Sequence, residues 1–295
     1  MSSRLSTGSR LLDELLGGGF LAGVTNTIYG DPGTGKTTII MSAILHAIQL
    51  GEAENRCAYV IDTEGGWSLT RFASMAKARG LDPNKALEHL RLYKVTELRE
   101  QHEVAMKGIR DDIKSSKKPP LLLAIDSIAS IYHGQLLNTP INALASRARE
   151  LQGKLSTEIN SLLHIASAYE APSIIVTWTR SAAADAFAEH RRAEAVKAIL
   201  SGESAIDVEA GLGAWKFPLI GGQHLVYYSK NLIRLYTLEN ASGDKLAILE
   251  KSLEQPTNRC ARFRIGDGGV EDIPDARVCS VFEYLQEIAS EVGKR

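Results

Sequence analysis

An eight-residue segment between a predicted strand and a predicted helix constrains the fold of this chain more than any other part of it. Residues 30–37 have the sequence Gly-Asp-Pro-Gly-Thr-Gly-Lys-Thr, which satisfies the pattern Gly-x-x-x-x-Gly-Lys-Ser/Thr in full. A strand from Val24 to Tyr29 comes before it, and a largely apolar helix from Thr37 to Leu50 comes after it. A strand, a glycine-rich loop and a helix in this order predict a phosphate-binding loop.

The residue types in this loop suit a nucleoside triphosphate held with Mg²⁺. Glycines let backbone N–H groups approach the phosphate oxygens, and the N-terminus of the following helix adds partial positive charge. Lys36 is predicted to contact the β and γ phosphates, and the Thr37 hydroxyl is an oxygen ligand suited to Mg²⁺. The nucleotide-binding residues predicted in this segment are Gly30, Asp31, Pro32, Gly33, Thr34, Gly35, Lys36, Thr37 and Thr38.

Two acidic residues follow apolar segments that we predict to be strands. Asp126 ends the run Leu121 to Ile125, where a carboxylate could hold Mg²⁺ directly or through water. Glu64 follows the strand Ala58 to Asp62 and could polarise an attacking water, although a surface acid that caps a helix would occupy the same position. Ser127 either supports the Mg²⁺ shell or belongs to the turn at the strand end. The predicted catalytic residues are Lys36, Glu64 and Asp126, and the predicted metal ligands are Thr37 and Asp126.

The order of apolar segments predicts an α/β fold. Short strands alternate with amphipathic helices, which is typical of a mostly parallel central sheet flanked by helices. After Gly222 the pattern becomes strand-rich and predicts a C-terminal antiparallel extension, followed by a last helix over about residues 276–292. We predict a single domain over residues 1–295, because no segment has the composition of a linker. The other predicted elements are helices over 67–79, 97–114 and 142–169 and strands over 90–95, 173–177, 232–238, 246–250 and 261–265.

Composition limits the remaining classes of function. A net charge of −1 over 295 residues means that any nucleic-acid contact must come from a local basic patch. No apolar run is long enough to span a bilayer, and the N-terminus does not have the pattern of a signal peptide. Cys57, Cys260 and Cys279 are widely separated, so we expect reduced thiols. Apart from the Mg²⁺ site, the sequence shows no cluster with metal-ligand spacing.

Several segments together resemble the ATPase core of the RecA/RadA recombinase superfamily. They are Ser6 to Ser9 with Leu12 to Gly19, the phosphate loop, and Ile61 to Glu64. The run Asp62-Thr63-Glu64-Gly65-Gly66-Trp67-Ser68 is most similar to the archaeal RadB-like recombinase paralogues. The resemblance extends from about Leu5 to Ile273 and implies a RecA-type ATPase core with ATP and Mg²⁺ as cofactors. It also implies that Glu64 is the base that activates water and that Arg71 lies near the adenine.

The sequence departs from the RadA pattern in two ways. The motifs of the core begin at Leu5, so we expect the N-terminal DNA-binding domain and the upstream aromatic polymerisation motif to be absent. Thr179 replaces the glutamine that senses the γ-phosphate and relays it to DNA. The resemblance therefore implies a cytoplasmic, nucleoid-associated paralogue that hydrolyses ATP slowly, binds single-stranded DNA and assists homologous recombination and repair. Its expected partners are a main RadA-type recombinase, other paralogues or further copies of itself.

The positions of the family's DNA-binding loops predict a DNA-binding region over residues 180–222. Cations suit phosphates and flat rings suit unstacked bases, and Pro218, Gly221 and Gly222 resemble the end of the second loop. Acidic residues of the same segment nearly cancel its positive charge, and Trp215 and Phe217 could instead pack an insertion onto the core or form a partner surface. The residues predicted to contact DNA are Arg180, Arg191, Arg192, Lys197, Trp215, Lys216 and Lys230.

Two other functions are consistent with the phosphate loop. A KaiC-like signalling or scaffolding ATPase would act through nucleotide-dependent oligomerisation without DNA. A structural subunit would bind nucleotide without turnover, which the replacement at Thr179 allows. In this family ATP often lies between protomers, and Lys230 and Arg234 are candidates for a residue that acts on the nucleotide of a neighbour.

Overall fold

The fold is described from a computed structural model, which describes residues 3–179, 219–238 and 242–292. Its main sheet contains ten strands among these residues, and a separate two-stranded sheet lies near the N-terminus. The strands, in chain order, are β1 (Arg4–Leu5), β2 (Phe20–Leu21), β3 (Thr25–Gly30), β4 (Cys57–Asp62), β5 (Leu90–Lys94), β6 (Pro120–Asp126), β7 (Ser173–Thr177), β8 (Ser229–Thr237), β9 (Lys245–Lys251), β10 (Arg259–Gly266), β11 (Gly269–Asp272) and β12 (Cys279–Ser280).

The main sheet is parallel on one side and antiparallel on the other. Its strand order is β11-β10-β9-β8-β3-β7-β6-β4-β5, and β12 pairs with β10. Strands β5, β4, β6, β7, β3 and β8 run parallel to their neighbours, whereas β9 to β12 pair antiparallel. The predicted α/β architecture with a C-terminal antiparallel extension is therefore confirmed. Strand β3, which leads into the phosphate loop, lies between β7 and β8 at the centre.

Helices cover both faces of the sheet. The first apolar core lies between the sheet and helices α1 to α4, and the second lies between the other face and helices α5 to α9. A third, smaller cluster joins the antiparallel strands to the last helix, α10. The helices are α1 (Arg10–Leu16), α2 (Lys36–Gln49), α3 (Leu69–Ala78), α4 (Pro83–Leu87), α5 (Leu98–Glu103), α6 (Ile109–Ser116), α7 (Ser130–Leu137), α8 (Leu144–Ala168), α9 (Gly222–Tyr228) and α10 (Val281–Val292), with a π-helical turn over Val104–Gly108 between α5 and α6.

Strands β4 and β6 are almost entirely apolar up to their last residue, an aspartate, because both faces of the sheet are covered. All six residues of β4 and all seven of β6 are buried. In a parallel sheet the carboxyl ends of the strands lie at one edge, and Asp62 pairs in register with Asp126 there. The phosphate loop leaves β3 at the same edge. The topology thus brings the ends of β3, β4 and β6 together.

Residues 3–21 form a small module that packs beside β10. The Asp13 carboxylate accepts hydrogen bonds from the Ser6 hydroxyl and from the backbone N–H and hydroxyl of Thr7. Asp272 accepts from the Ser9 hydroxyl at 2.6 Å and from two backbone N–H groups of the first turn of α1. The Ser-Thr-Gly opening that resembles the recombinase core therefore has a structural role here.

Four short helices of the structure were not predicted from the sequence. Helix α4 was not predicted; it begins at Pro83, and the Asp82 side chain caps the N–H groups of Asn84 and Lys85. Helix α7 separates β6 from α8, and the predicted helix 97–114 is interrupted by the π-helical turn. Helices α1 and α9 were also not predicted. Helices α1, α4, α7 and α9 are five to eight residues long, which gives too few turns for a clear apolar periodicity.

Candidate nucleotide-binding site

The phosphate loop joins the buried strand β3 to the N-terminus of α2. Gly35 has φ 97° and is the residue before the first turn of α2, and Gly30 has φ 154°. A Cβ atom on Gly30 would lie 2.4 Å from the Leu235 carbonyl oxygen of β8, and one on Gly35 would lie 3.1 Å from Ile265 of β10. These glycines let the loop pass close to the neighbouring strands, as a backbone cradle for phosphate requires.

Lys36 lies inside the loop. Its Nζ atom donates hydrogen bonds to the carbonyl oxygens of Gly30 and Asp31, each at 2.7 Å, and the residue is 8% exposed. Burial lowers the pKa of the Lys36 ammonium, and the charges of Asp126, Glu64 and Asp31 oppose that change. The ammonium is thus held at the centre of the loop and within reach of three carboxylates.

Thr37 and Asp126 place two oxygen ligands next to each other. The Thr37 hydroxyl donates to Asp126 Oδ2 at 2.6 Å, and the Trp67 indole N–H donates to the same oxygen at 3.1 Å. The pKa of the Asp126 carboxyl group is raised to about 6: burial and the nearby charge of Glu64 raise it, and the hydrogen bonds from Thr37 and Trp67 and the charge of Lys36 oppose the rise. A carboxylate that resists ionisation in this way gains from a divalent cation nearby.

The segment after β4 is folded around Asp62. Its carboxylate accepts backbone N–H groups from Glu64 and Gly66 through Oδ1 and from Trp67 through Oδ2, each at 3.2 Å. Asp62 is 1% exposed. This turn places Glu64 on the surface beside the loop and buries Trp67 against Asp126. The sequence signalled Glu64, but the roles of Asp62 and Trp67 were missed, because both depend on contacts between strands.

The ends of β4 and β6 are also joined by hydroxyl groups. The Thr63 hydroxyl donates to the Ser127 carbonyl oxygen at 2.7 Å and accepts the Ser127 backbone N–H at 3.0 Å. The peptide bond between Asp126 and Ser127 is cis. The Ser127 hydroxyl is buried and has no hydrogen-bond partner among the residues that the structure describes. An unsatisfied hydroxyl beside Asp126 fits a place in a Mg²⁺ hydration shell.

Behind Asp126 a buried carboxylate fixes the chain that follows β6. Glu158 of α8 is fully buried and accepts hydrogen bonds from the Tyr132 hydroxyl at 2.5 Å and from the Gln101 amide at 2.8 Å. The same Gln101 amide donates to the Ile128 carbonyl oxygen at 3.2 Å. Burial raises the pKa of Glu158, and its hydrogen bonds oppose this. The network ties α5, α7 and α8 to the end of β6.

Thr179 connects the phosphate loop to the flanks of residues 180–218. Its hydroxyl donates to the Asp31 carboxylate, and Thr179 forms a β-bridge with Leu219. The Ile220 backbone N–H donates to the Trp178 carbonyl oxygen at 2.9 Å, so the two flanks lie side by side. Thr179 is therefore in contact with the phosphate loop.

Arg71 lies on α3 beside the start of α2. One guanidinium nitrogen donates to the Thr38 hydroxyl at 3.0 Å. The structure thus brings Arg71 and Thr38 to the phosphate loop together with the other nucleotide-binding residues that the sequence predicts. The position of Arg71 near the adenine stays a prediction.

Most of the predicted DNA-binding residues lie outside the described residues: Arg180, Arg191, Arg192, Lys197, Trp215 and Lys216. Lys230 is described and exposed. Its neighbour Ser229 pairs with Thr25 at the start of β3, whereas Gly30, where the phosphate loop begins, pairs with Leu235. Lys230 therefore lies at the opposite end of β8 from Thr179 and Asp31. Arg234 is 1% exposed, with its guanidinium 4.6 Å from the ring of Tyr236 and 3.9 Å from Glu250. Of the two candidates for a trans-acting residue, only Lys230 is exposed.

The donor set fits Mg²⁺ shared with a nucleotide. Mg²⁺ commonly takes one or two protein oxygens together with phosphate and water, and Thr37 and Asp126 supply two adjacent oxygens. Within residues 3–179, 219–238 and 242–292, no group of three or more His, Cys, Asp and Glu side chains is arranged to hold a metal. Lys36, inside the phosphate loop, would add positive charge to that of Mg²⁺ against the phosphates of a nucleotide.

The comparison with protein families decides the family of this chain. The Rad51 family model matches residues 2–208. This chain belongs to the Rad51 family. The match includes the phosphate loop, Glu64, Asp126 and Thr179, and it favours the recombinase interpretation over the KaiC-like alternative.

Relatives and a solved structure agree with this membership. The chain is 32% identical to the DNA repair and recombination protein RadB of Thermococcus gammatolerans over 272 residues, which cover 92% of this chain and all of that protein. It is also 32% identical to RadB of Pyrococcus furiosus, with 91% of this chain and 96% of that protein covered. A crystal structure of the RadB recombinase superposes with a TM-score of 0.64 at 27% identity and covers 91% of this chain and 99% of that chain. The predicted resemblance to RadB-like paralogues is confirmed.

No helix in the described ranges is both long enough and apolar enough to cross a membrane.

Proposed function

We propose that this chain binds ATP with Mg²⁺ in the phosphate loop, hydrolyses it slowly, and binds single-stranded DNA as an accessory to a RadA-type recombinase at the nucleoid. One observation supports the proposal most strongly. Lys36, Thr37, Glu64 and Asp126 meet at one edge of the sheet, and Thr179 joins that edge to the flanks of residues 180–218. The phosphate loop is thus in contact with Thr179, which directly precedes the proposed DNA-binding segment.

Each residue of the site would have its own role in phosphoryl transfer. Lys36 would place its charge against the β and γ phosphates, and the N-terminus of α2 would add its dipole. Thr37 and Asp126 would hold Mg²⁺, which neutralises charge on the phosphate oxygens when it is bound. Glu64 would accept a proton from the attacking water, because it is exposed at the strand end beside Asp126.

The hydrogen bond between Thr179 and Asp31 is the proposed route between nucleotide and DNA. A shift of the phosphate loop would move Asp31 and thereby the bridge between Thr179 and Leu219. A threonine side chain is shorter than a glutamine side chain and lacks its amide, and the Thr179 hydroxyl donates to Asp31 of the loop. We therefore expect weaker coupling between ATP and DNA than in a recombinase with glutamine at this position.

Binding of a fluorescent single-stranded oligonucleotide, followed by anisotropy, tests the proposed DNA role. The affinity should fall steeply between about 50 mM and about 200 mM NaCl, because Lys and Arg contacts to phosphate release counterions. Lys216→Ala should weaken binding and reduce the salt dependence, and Trp215→Ala should weaken it at every salt concentration. Lys107→Ala, a change at an exposed lysine outside the proposed DNA-binding segment whose ammonium lies 3.9 Å from Asp111, should have little effect. Absence of binding at low salt, with and without ATP and Mg²⁺, would refute the DNA role.

Co-elution with a purified RadA-type recombinase tests the proposed partner. We expect a complex on size-exclusion chromatography in the presence of ATP and Mg²⁺. The Lys36→Ala variant, which should not bind nucleotide, shows whether the complex depends on the phosphate loop. Separate elution under all nucleotide conditions would contradict the accessory role while leaving DNA binding intact.

A further inference from the structure

Two cysteines that are far apart in the sequence face each other across an antiparallel strand pair. Cys260 of β10 and Cys279 of β12 are partners in register, and their Sγ atoms are 3.8 Å apart. Directly paired residues in antiparallel strands have Cα atoms about 4.5–5.5 Å apart, which is within the range of about 4.4–6.8 Å found for disulfides. A disulfide could therefore form here through side-chain rotation, with little movement of the backbone.

The surroundings of the pair favour oxidation at Cys279. Cys279 is 8% exposed and Cys260 is 1% exposed, and both border a small cleft lined by Arg262, Arg277 and Glu287. The hydrogen bond from Cys260 lowers the pKa of the Cys279 thiol, so Cys279 is the better nucleophile. Cys260 then lies in position to act as the resolving thiol.

We propose that Cys260 and Cys279 form an oxidative modification site, at which a hydroperoxide converts the two thiols into a disulfide between β10 and β12. The Cys279 thiolate attacks one oxygen of hydrogen peroxide, which breaks the O–O bond, gives a sulfenic acid and releases hydroxide. Cys260 attacks the sulfenic sulfur, which forms the S–S bond and releases water once its proton is transferred. Two thiols and one hydrogen peroxide thus give one disulfide and two waters, and thiol reductants reverse the change.

The consequence of the disulfide follows from what β12 connects. β12 is two residues long and leads directly into α10, whose Tyr284 packs in the same cluster as the two cysteines. A covalent link would hold this terminal segment on the sheet and lower the conformational entropy of the unfolded chain. The cross-linked strand β10 also carries Ile265, which lies beside Gly35 of the phosphate loop.

Peptide mapping after treatment of the full chain with equimolar hydrogen peroxide tests the site. Trypsin cleaves after Arg259, Arg262 and Arg277, so Cys260 falls in the peptide Cys-Ala-Arg and Cys279 in the peptide Val278 to Lys294. Mass spectrometry should detect these two peptides linked by a disulfide that dithiothreitol removes. Cys57, which is buried on β4 far from the pair, is an internal control and should be recovered as a free thiol.

Thermal unfolding gives a second measurement. The oxidised protein should melt several degrees above the reduced protein, and the difference should disappear in Cys260→Ser and in Cys279→Ser. Because the main measurements use the unmodified chain, a variant that fails to fold does not affect them. Recovery of both cysteines as free thiols, oxidation of Cys279 without the linked peptide, or dimers linked through Cys279 would each overturn the proposal.

Discussion

The Trp67 indole N–H and the Asp126 carboxylate are joined by a hydrogen bond of 3.1 Å, and the oxygen that accepts it also accepts the Thr37 hydroxyl. Trp67 is 1% exposed and reaches Asp126 from the end of the neighbouring strand. The carboxylate is therefore held from two sides before any cation binds. A hydrogen bond to a charged acceptor contributes about 1.5–3 kcal/mol, so this contact is large enough to influence how Asp126 is oriented.

Replacing Trp67 with phenylalanine removes the donor and keeps an aromatic ring in the core. We expect the Mg²⁺ concentration for half-maximal ATP turnover to rise by about tenfold, because Asp126 loses one of the groups that orient it. Turnover measured over a Mg²⁺ titration checks the result. Tyr59→Phe is a matched control, since it removes a partly buried 2.7 Å hydrogen bond from the Tyr59 hydroxyl to the Lys118 carbonyl oxygen, near the other end of β4. If both variants change the Mg²⁺ requirement equally, Trp67 has no specific role in positioning Asp126.

The raised pKa of Asp126 predicts how stability depends on pH. The carboxyl titrates near pH 6 in the folded protein and near 3.8 when unfolded, so the folded state disfavours ionisation. Stability is therefore lost as the pH rises through this interval, by about 3 kcal/mol in total, and the loss is complete above pH 6. Asp126→Asn does not titrate and keeps an acceptor for Thr37 and Trp67. Chemical denaturation without nucleotide gives the free energy of unfolding of both proteins. The value for Asp126→Asn minus the value for the wild type should be about 1 kcal/mol larger at pH 8 than at pH 5. An equal difference at both pH values would contradict this account.

The contact between Thr179 and Asp31 predicts a change in coupling between nucleotide and DNA. Thr179→Val keeps the shape of the side chain but removes the donor, whereas Thr179→Ser keeps the hydroxyl. We expect the valine variant to lose most of the change in ATP turnover that single-stranded DNA produces, and the serine variant to retain it. Turnover with and without DNA, at saturating ATP, checks this. Equal DNA responses in the two variants would show that the hydrogen bond carries no coupling.

The parts of the site that the sequence predicted are those with local signals. The phosphate loop is a contiguous pattern, and Asp126 is the last of the seven buried residues of β6, so its place at the sheet edge follows from the parallel topology. Glu64 was predicted only together with the family resemblance, because a surface acid after a strand has several explanations. These residues meet because parallel strands end at one edge.

The parts that were missed depend on contacts between distant segments. Asp62 looks like the last residue of a strand, and only the folded chain shows that its carboxylate organises the turn to Trp67. Cys260 and Cys279 lack a recognisable spacing, because the antiparallel register that pairs them is set by β10 and β12. Lys230 was grouped with the loop cations from its position in the sequence, but α9 returns the chain to the other end of the sheet before β8 begins.

The central claim is that Glu64 and the phosphate loop form a working ATPase that responds to DNA. Steady-state ATP hydrolysis of the wild type and of Glu64→Gln, each with Mg²⁺ and with or without single-stranded DNA, tests it most directly. We predict slow hydrolysis by the wild type that DNA accelerates, and background hydrolysis by Glu64→Gln with ATP binding unchanged. Equal rates for the two proteins would contradict the assignment of Glu64, and no hydrolysis by the wild type under any condition would indicate a nucleotide-binding subunit without turnover.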